Sequence, residues 1–227
     1  MEKIKNYFAA IFFKAGISAN FLTYLGLFFA LLSGVLIYKG IFFWAGAVLL
    51  FSGFLDLMDG AVARLSKKAV PFGGILDSSL DRYGDGFVFA GLLFYCMRHG
   101  KELYAALSAS AFLGSFLISY VRARAECVIP TCRVGFWERG ERIAYLSLGL
   151  LFNNIAWVLW VLAFLTHYTV LCRLYFAKKE TEKTGYWGQN KSLVWDFLFS
   201  KRGRTHWEYY VKITVLFLAV FLIRISL

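Results

Sequence analysis

Four aspartates, Asp56, Asp59, Asp77 and Asp81, interrupt two otherwise apolar stretches of the chain. Asp56 and Asp59 are spaced i,i+3 and Asp77 and Asp81 i,i+4, so on helices each pair projects from one face. One ionised side chain at a bilayer centre costs about 2.5–3.5 kcal/mol even on a permissive scale. Four facing lipid would be prohibitive; they must face one another, water or cations. Two helices that each turn two carboxylates inward form an all-oxygen cage without His or Cys, which suits a hard divalent ion, Mg2+ or Mn2+. Gly60 and Ala63 strip the first helix of side chains beside the carboxylates, which lets a ligand approach the backbone. Close helix packing is the rival reading of Gly60 and of Gly73. Arg64, one turn beyond Gly60, suits a phosphate or a base edge, or else snorkels to the interface.

The elements that must hold these residues follow from composition. Of 227 residues, 59% are apolar or aromatic and 17% charged, which excludes a disordered chain and an ordinary soluble globule. Largely apolar runs fall at Phe21–Tyr38, Ile41–Leu57, Gly74–Met97, Leu103–Val121, Ile143–Phe152, Ile155–Phe176 and Tyr209–Ile223. A helix of roughly 20 residues crosses roughly 30 Å of hydrocarbon. The expectation is an all-α polytopic integral membrane protein: a six-helix transmembrane bundle, an amphipathic N-terminal helix and a candidate seventh, C-terminal helix. The fifth run is short unless it extends back through Arg142, and Asn153-Asn154 turns the chain into the sixth. The expected divisions are 1–14, an amphipathic segment on the membrane with no cleavage site after it; 15–179, the six-helix domain; and 180–227, a polar cytoplasmic segment with the C-terminal hydrophobic helix.

The net charge of +11 raises nucleic acid as a partner, but the cations sit in short gaps between apolar runs and read as topology and lipid headgroup contacts instead. Lys39, Arg98 and Lys101 are the few on one side. The other side collects Lys3, Lys5, Lys14, Arg64, Lys67, Lys68, Arg122, Arg124, Arg133, Arg139, Arg142 and the stretch from Arg173 to Arg204, and is therefore the cytoplasmic one. Cys96, Cys127, Cys132 and Cys172 have no metal-site spacing and read as core or lipid-facing thiols.

Taken together, Asp56-x-x-Asp59-Gly60-x-x-Ala63-Arg64, eight residues, Gly73-x-x-x-Asp77-x-x-x-Asp81 resembles the signature of the CDP-alcohol phosphatidyltransferase family at every fixed position. Gly16-Ile-Ser18-Ala-Asn20-Phe-Leu-Thr23 is similar to that family's entry into its first span, with Ala19 where a Pro is usual; Asn20 either caps the helix or reaches the donor. The resemblance covers roughly Lys14–Lys179. It implies transfer of a phosphatidyl-type group from a CDP-linked lipid to an acceptor hydroxyl with release of CMP, in a homodimeric membrane enzyme. It implies Asp56, Asp59 and Asp77 as metal ligands and Asp81 as a further ligand or as the base that takes the acceptor's proton. Asn20, Asp56, Gly60, Ala63, Arg64 and Gly73 would then hold the CDP-linked donor.

For the acceptor, Asp77-Ser-Ser-Leu-Asp81-Arg82-Tyr83-Gly84-Asp85 departs from the Asp-Pro of phosphatidylglycerophosphate synthases and is similar to the branch that makes phosphatidylinositol phosphate or its archaeal ether-lipid counterpart. Arg122, Arg124, Arg139, Arg142 and Arg173 are expected to gather on the face that carries the aspartates, and several guanidiniums beside a metal favour a phosphorylated polyol such as inositol 1-phosphate. Arg122, Arg139, Arg142 and Arg173 are the acceptor-binding candidates; plain positive-inside bias is the bland rival. Glycerol 3-phosphate as acceptor, CDP-inositol as donor and, in another class, a cation-coupled transporter remain the alternatives. Asp85, i+4 from Asp81, extends the acidic stripe and is placed to pair with one of these arginines, without an assignable role.

Overall fold

In the computed structural model, which describes residues 2–66, 71–135 and 137–183, the chain is all-α. Seven helices follow in order: α1 (Glu2–Lys14), α2 (Ala19–Tyr38), α3 (Phe42–Leu65), α4 (Pro71–Arg98), α5 (Glu102–Ala125), α6 (Arg139–Leu151) and α7 (Ile155–Lys183). Among the described residues α2, α3, α5 and α7 are long and apolar enough to cross a membrane. α4 has the length, 28 residues, but carries Asp77, Asp81, Arg82 and Asp85 between its start and its middle. α6 has 13 residues and rises only about 20 Å. It does extend back through Arg142, to Arg139, and still falls short of a span. The expected helix at Tyr209–Ile223 lies outside the described residues.

The membrane character is written on α2. Its large side chains Phe21, Tyr24, Phe28, Leu31 and Val35 recur every three or four residues and are exposed, while its buried positions are Leu22, Gly26, Ala30, Ser33, Gly34 and Ile37. Such a helix is apolar all round, with bulk facing lipid and small residues facing protein. α2 packs against α3 and α4, α3 also against α1 and α6, and α4 against α5. Gly34 and Gly91 let α2 and α4 touch backbone to backbone, since a Cβ at either would strike main-chain atoms of the other helix. Interhelical hydrogen bonds join Ser52 Oγ to the Gly26 carbonyl (2.8 Å) and Ser108 Oγ to that of Phe89 (2.9 Å).

α1 buries Ala9 in a core with Leu22, Leu55, Met58, Ala61 and Val62, and leaves Tyr7, Phe8, Ile11 and Phe13 exposed. An apolar outer face on a short helix suits the membrane interface. The chain divides into a unit of residues 1–174 and a unit of residues 175–227. In the second unit, the described end of α7 carries surface pairs Lys178–Glu182 and Lys183–Glu180.

Candidate active site

Helix rise fixes where the carboxylates lie. At about 1.5 Å per residue, Asp56 and Asp59 lie about 21 and 26 Å along α3 from its start at Phe42, and Asp85, Asp81 and Asp77 about 20, 26 and 32 Å back from the end of α4. α6, packed on α3, reaches about 18 Å from Leu151 to Arg139. Its N-terminus therefore arrives at the level of the acids, toward one surface of the bilayer rather than its midplane. A cavity of about 650 Å³ lies at the opposite helix ends, lined by residues such as Phe42, Tyr95, Lys101 and Asn153, remote from these carboxylates.

Asp56, Asp59 and Asp77 each offer a carboxylate oxygen, and the three atoms lie within 4.8 Å of one another. Three hard oxygen ligands converging at that range suit one divalent cation. Asp59 is 4% exposed and accepts a 2.9 Å hydrogen bond from Thr23 Oγ1 on α2. That bond fixes the carboxylate's orientation, as an outer-shell partner of a metal ligand does. Asp77 Oδ1 is buried and has no hydrogen-bond partner, a free acceptor beside two other acids, as a metal ligand would have. Asp81 stands outside this triad: Nη1 of Arg139 lies between it (2.8 Å) and Asp56 (2.9 Å).

The arginines divide into three groups. Arg139 and Arg142, on the first turn of α6, converge with Arg82 on Asp85, which is 9% exposed. Arg139 Nε donates to Asp85 Oδ1 at 3.2 Å, while Arg142 Nη2 and Arg82 Nη1 stand 3.8 and 4.0 Å from Oδ2. Arg142 Nη1 donates to the carbonyl of Trp137 (2.9 Å), a residue at φ +71, outside the range bulky side chains ordinarily adopt. Arg173 is buried and spends Nε and Nη1 on the carbonyls of Val134 (3.1 Å) and Ile118 (2.6 Å), although it is within electrostatic reach of Arg142 and Arg122. Arg122 pairs with Glu126 (3.0 Å), one turn on, and Arg124 is exposed. Burial pushes the Glu126 carboxyl up, but hydrogen bonds from Arg122 and the Cys132 N–H, with the charges of Arg122 and Arg133, outweigh it and hold it below its usual value. Of the five arginines expected to gather at the acids, two make contact.

The donor-side candidates line the same end of α3. Arg64 is exposed, with one Nη 3.7 Å from where a Cβ on Gly60 would lie; Gly60, Ala63 and Gly73 are half-buried. A Cβ at Gly60 would meet only that flexible side chain, so packing does not require the glycine. Asn20 is exposed in the first turn of α2, and the cap is Ser18, whose Oγ accepts from Phe21 N at 3.3 Å. Of the two readings of Asn20, capping is thereby excluded. Two contacts go beyond the sequence reading: Thr23 with Asp59, which no spacing announces, and Arg82 with Asp85, whose i,i+3 spacing was the available signal.

Comparison with known proteins agrees with this geometry. A family model described as CDP-alcohol phosphatidyltransferase matches residues 16–171. An archaetidylinositol phosphate synthase of Pyrococcus horikoshii is 34% identical over 183 residues, 80% of this chain and 93% of that protein. A phosphatidylinositol phosphate synthase of Mycobacteroides abscessus is 34% identical over 183 residues, 76% of this chain and 83% of that one. The crystal structure of Mycobacterium tuberculosis phosphatidylinositol phosphate synthase with CDP-DAG bound matches with a TM-score of 0.70 and 27% identity, covering 77% of this chain and 94% of that one. The structure of that enzyme in complex with manganese and citrate also gives 0.70, at 28% identity over 77% of this chain and 88% of that one. A membrane-helix scaffold, an acidic triad fit for a divalent ion and a family match spanning both lead to one conclusion: the chain belongs to the CDP-alcohol phosphatidyltransferase family.

Proposed function

We propose that this enzyme transfers a phosphatidyl-type group, diacyl or archaeal ether lipid, from its CDP-linked form to the hydroxyl of inositol 1-phosphate. The acceptor oxygen bonds to the phosphorus that carries the lipid, the bond from that phosphorus to the CMP oxygen breaks, and CMP leaves. The observation that carries this reading is the meeting of the triad Asp56, Asp59 and Asp77 with the arginines of α6 at one end of the bundle. A divalent cation held there, Mg2+ or Mn2+, supplies charge neutralisation for the donor's pyrophosphate. Asp81, next to the triad, accepts the acceptor's proton. Asn20, Asp56, Gly60, Ala63, Arg64 and Gly73 would hold the CDP moiety; Arg139, Arg142, Arg122 and Arg173 form the cationic surround of the acceptor phosphate. The relatives' inositol-lipid names support this acceptor, and the manganese-bound neighbour supports the divalent ion.

The reading extends to the whole chain. α4 and the short α6 complete a six-helix domain of residues 15–179, flanked by the interfacial helix 1–14 and a cytoplasmic segment 180–227. The active site faces the cytoplasm, because the cation-rich loops lie at the acid end, and the enzyme works as a homodimer.

The test is CMP release by the purified protein in detergent with a CDP-linked lipid and Mg2+, offering inositol 1-phosphate, glycerol 3-phosphate, inositol and serine in turn. CMP formed with inositol 1-phosphate and lost in Asp81→Asn is the expected outcome. Preference for glycerol 3-phosphate overturns the acceptor and leaves the chemistry; no CMP release with any of the four acceptors overturns the lipid-donor reading in favour of a CDP-inositol donor or of transport.

A further inference from the structure

Arg139 touches three carboxylates, and the contacts are not equivalent. Its Nε donates an aligned hydrogen bond to Asp85 Oδ1 at 3.2 Å. Its Nη1 stands 2.9 Å from Asp56 and 2.8 Å from Asp81, yet forms no hydrogen bond with either. One nitrogen is shared by two oxygens on Coulombic attraction alone, so this end of the guanidinium is the exchangeable one. Asp56 also belongs to the triad suited to a divalent ion. A guanidinium and a metal ion on the same carboxylate compete for one negative charge and repel each other. The crevice among Thr23, Asp56, Asp59, Asp81 and Arg139 measures about 10 Å³, room for about one water, so Arg139 itself fills the gap between the triad and Asp81. When an ion takes Asp56, the guanidinium needs another counter-charge. Asp85 provides it from the far side, at the wall of a second crevice of about 20 Å³ that Arg139 and Arg142 share.

We propose that Arg139 is a tethered cation competing with the divalent ion for Asp56, and that Asp85 is the positioning residue that draws Arg139 away from the metal ligands. The inference rests on the reading of Asp56, Asp59 and Asp77 as those ligands. It gives Asp85 a role that its place outside the motif does not suggest: tuning metal affinity without touching metal.

The experiment is calorimetric titration of Mn2+ into the full-length protein in detergent, with neither lipid nor acceptor present. Arg139→Gln should bind Mn2+ more tightly than the wild type, by about fivefold or more, the usual lower range for coupled sites. Asp85→Asn should bind it more weakly by a similar factor, because Arg139 is left with Asp56 and Asp81 alone. The double variant should recover at least wild-type affinity; loss of packing at Asp85 would not be rescued by removing a second side chain. Binding in Arg139→Gln that is unchanged or weaker overturns the proposal, as does a double variant no tighter than Asp85→Asn. If Asp85→Asn does not fold, Arg139→Gln decides alone. A wild type that binds no Mn2+ overturns the metal reading and this inference with it, whereas a binding wild type with indifferent variants overturns this inference only.

Discussion

Thr23 shows how much a single residue can contribute from outside the aspartate motif. Its hydroxyl holds one oxygen of buried Asp59 at 2.9 Å and so sets which lone pair faces Asp56 and Asp77. Thr23→Val keeps the shape and removes the donor; a loss of ten- to a hundredfold in Mn2+ affinity is expected, with the fold intact by circular dichroism. Asp81 should behave in the opposite way. Lying outside the triad, it is expected to act as the base rather than as a ligand, so Asp81→Asn should lower kcat for CMP release at saturating Mn2+ by about a hundred- to ten-thousandfold, while Mn2+ affinity falls by no more than Asp85→Asn costs it. An equal loss of both would make Asp81 a ligand first and a base second. The four aspartates were legible in the sequence because an ionised group inside an apolar run has few tolerable environments. The assignment of arginines was not, because each Asp–Arg contact with α6 spans more than fifty residues of chain, and cations near a membrane surface occur for topology alone.

Among the elements, α2 through α5 and α7 begin within about three residues of the apolar runs, because a bilayer imposes apolarity on every crossing helix, while α3, α5 and α7 run on past them into polar sequence. The cap of α2 was harder to read. Ser18 and Asn20 are both capping types two residues apart, and it is Ser18, two residues after the left-handed turn at Gly16, φ +74, that caps α2. Arg173, a candidate for the acceptor phosphate, also fastens the loop before α6 and the end of α5 to α7 through the Val134 and Ile118 carbonyls. Arg173→Met should therefore lower stability by about 1–3 kcal/mol, read as an earlier thermal unfolding transition in detergent. A rise in the acceptor's KM with no change in that transition would leave Arg173 to the substrate alone. Where α2 meets α4, Gly91→Leu forces the Gly34 backbone away, and a cost of about 1–3 kcal/mol is expected in the same measurement.

At the scale of the whole molecule, orientation is testable with the native thiols. Cys127 is exposed in the loop after α5, at the cation-rich end, whereas Cys96 and Cys132 are buried. A membrane-impermeant maleimide should label Cys127 in inside-out vesicles and spare it in right-side-out ones; the reverse pattern would invert the topology. The short α6 carries a further consequence. Rising only about 20 Å beside helices long enough to cross about 30 Å of hydrocarbon, and with every residue but Gly140 buried or half-buried, it starts within the protein at the level of the acids. A helix that starts below the height of its neighbours would let the aqueous phase down to the lipid's own phosphate, so that a sugar phosphate from solution and an anchored lipid meet without either changing phase.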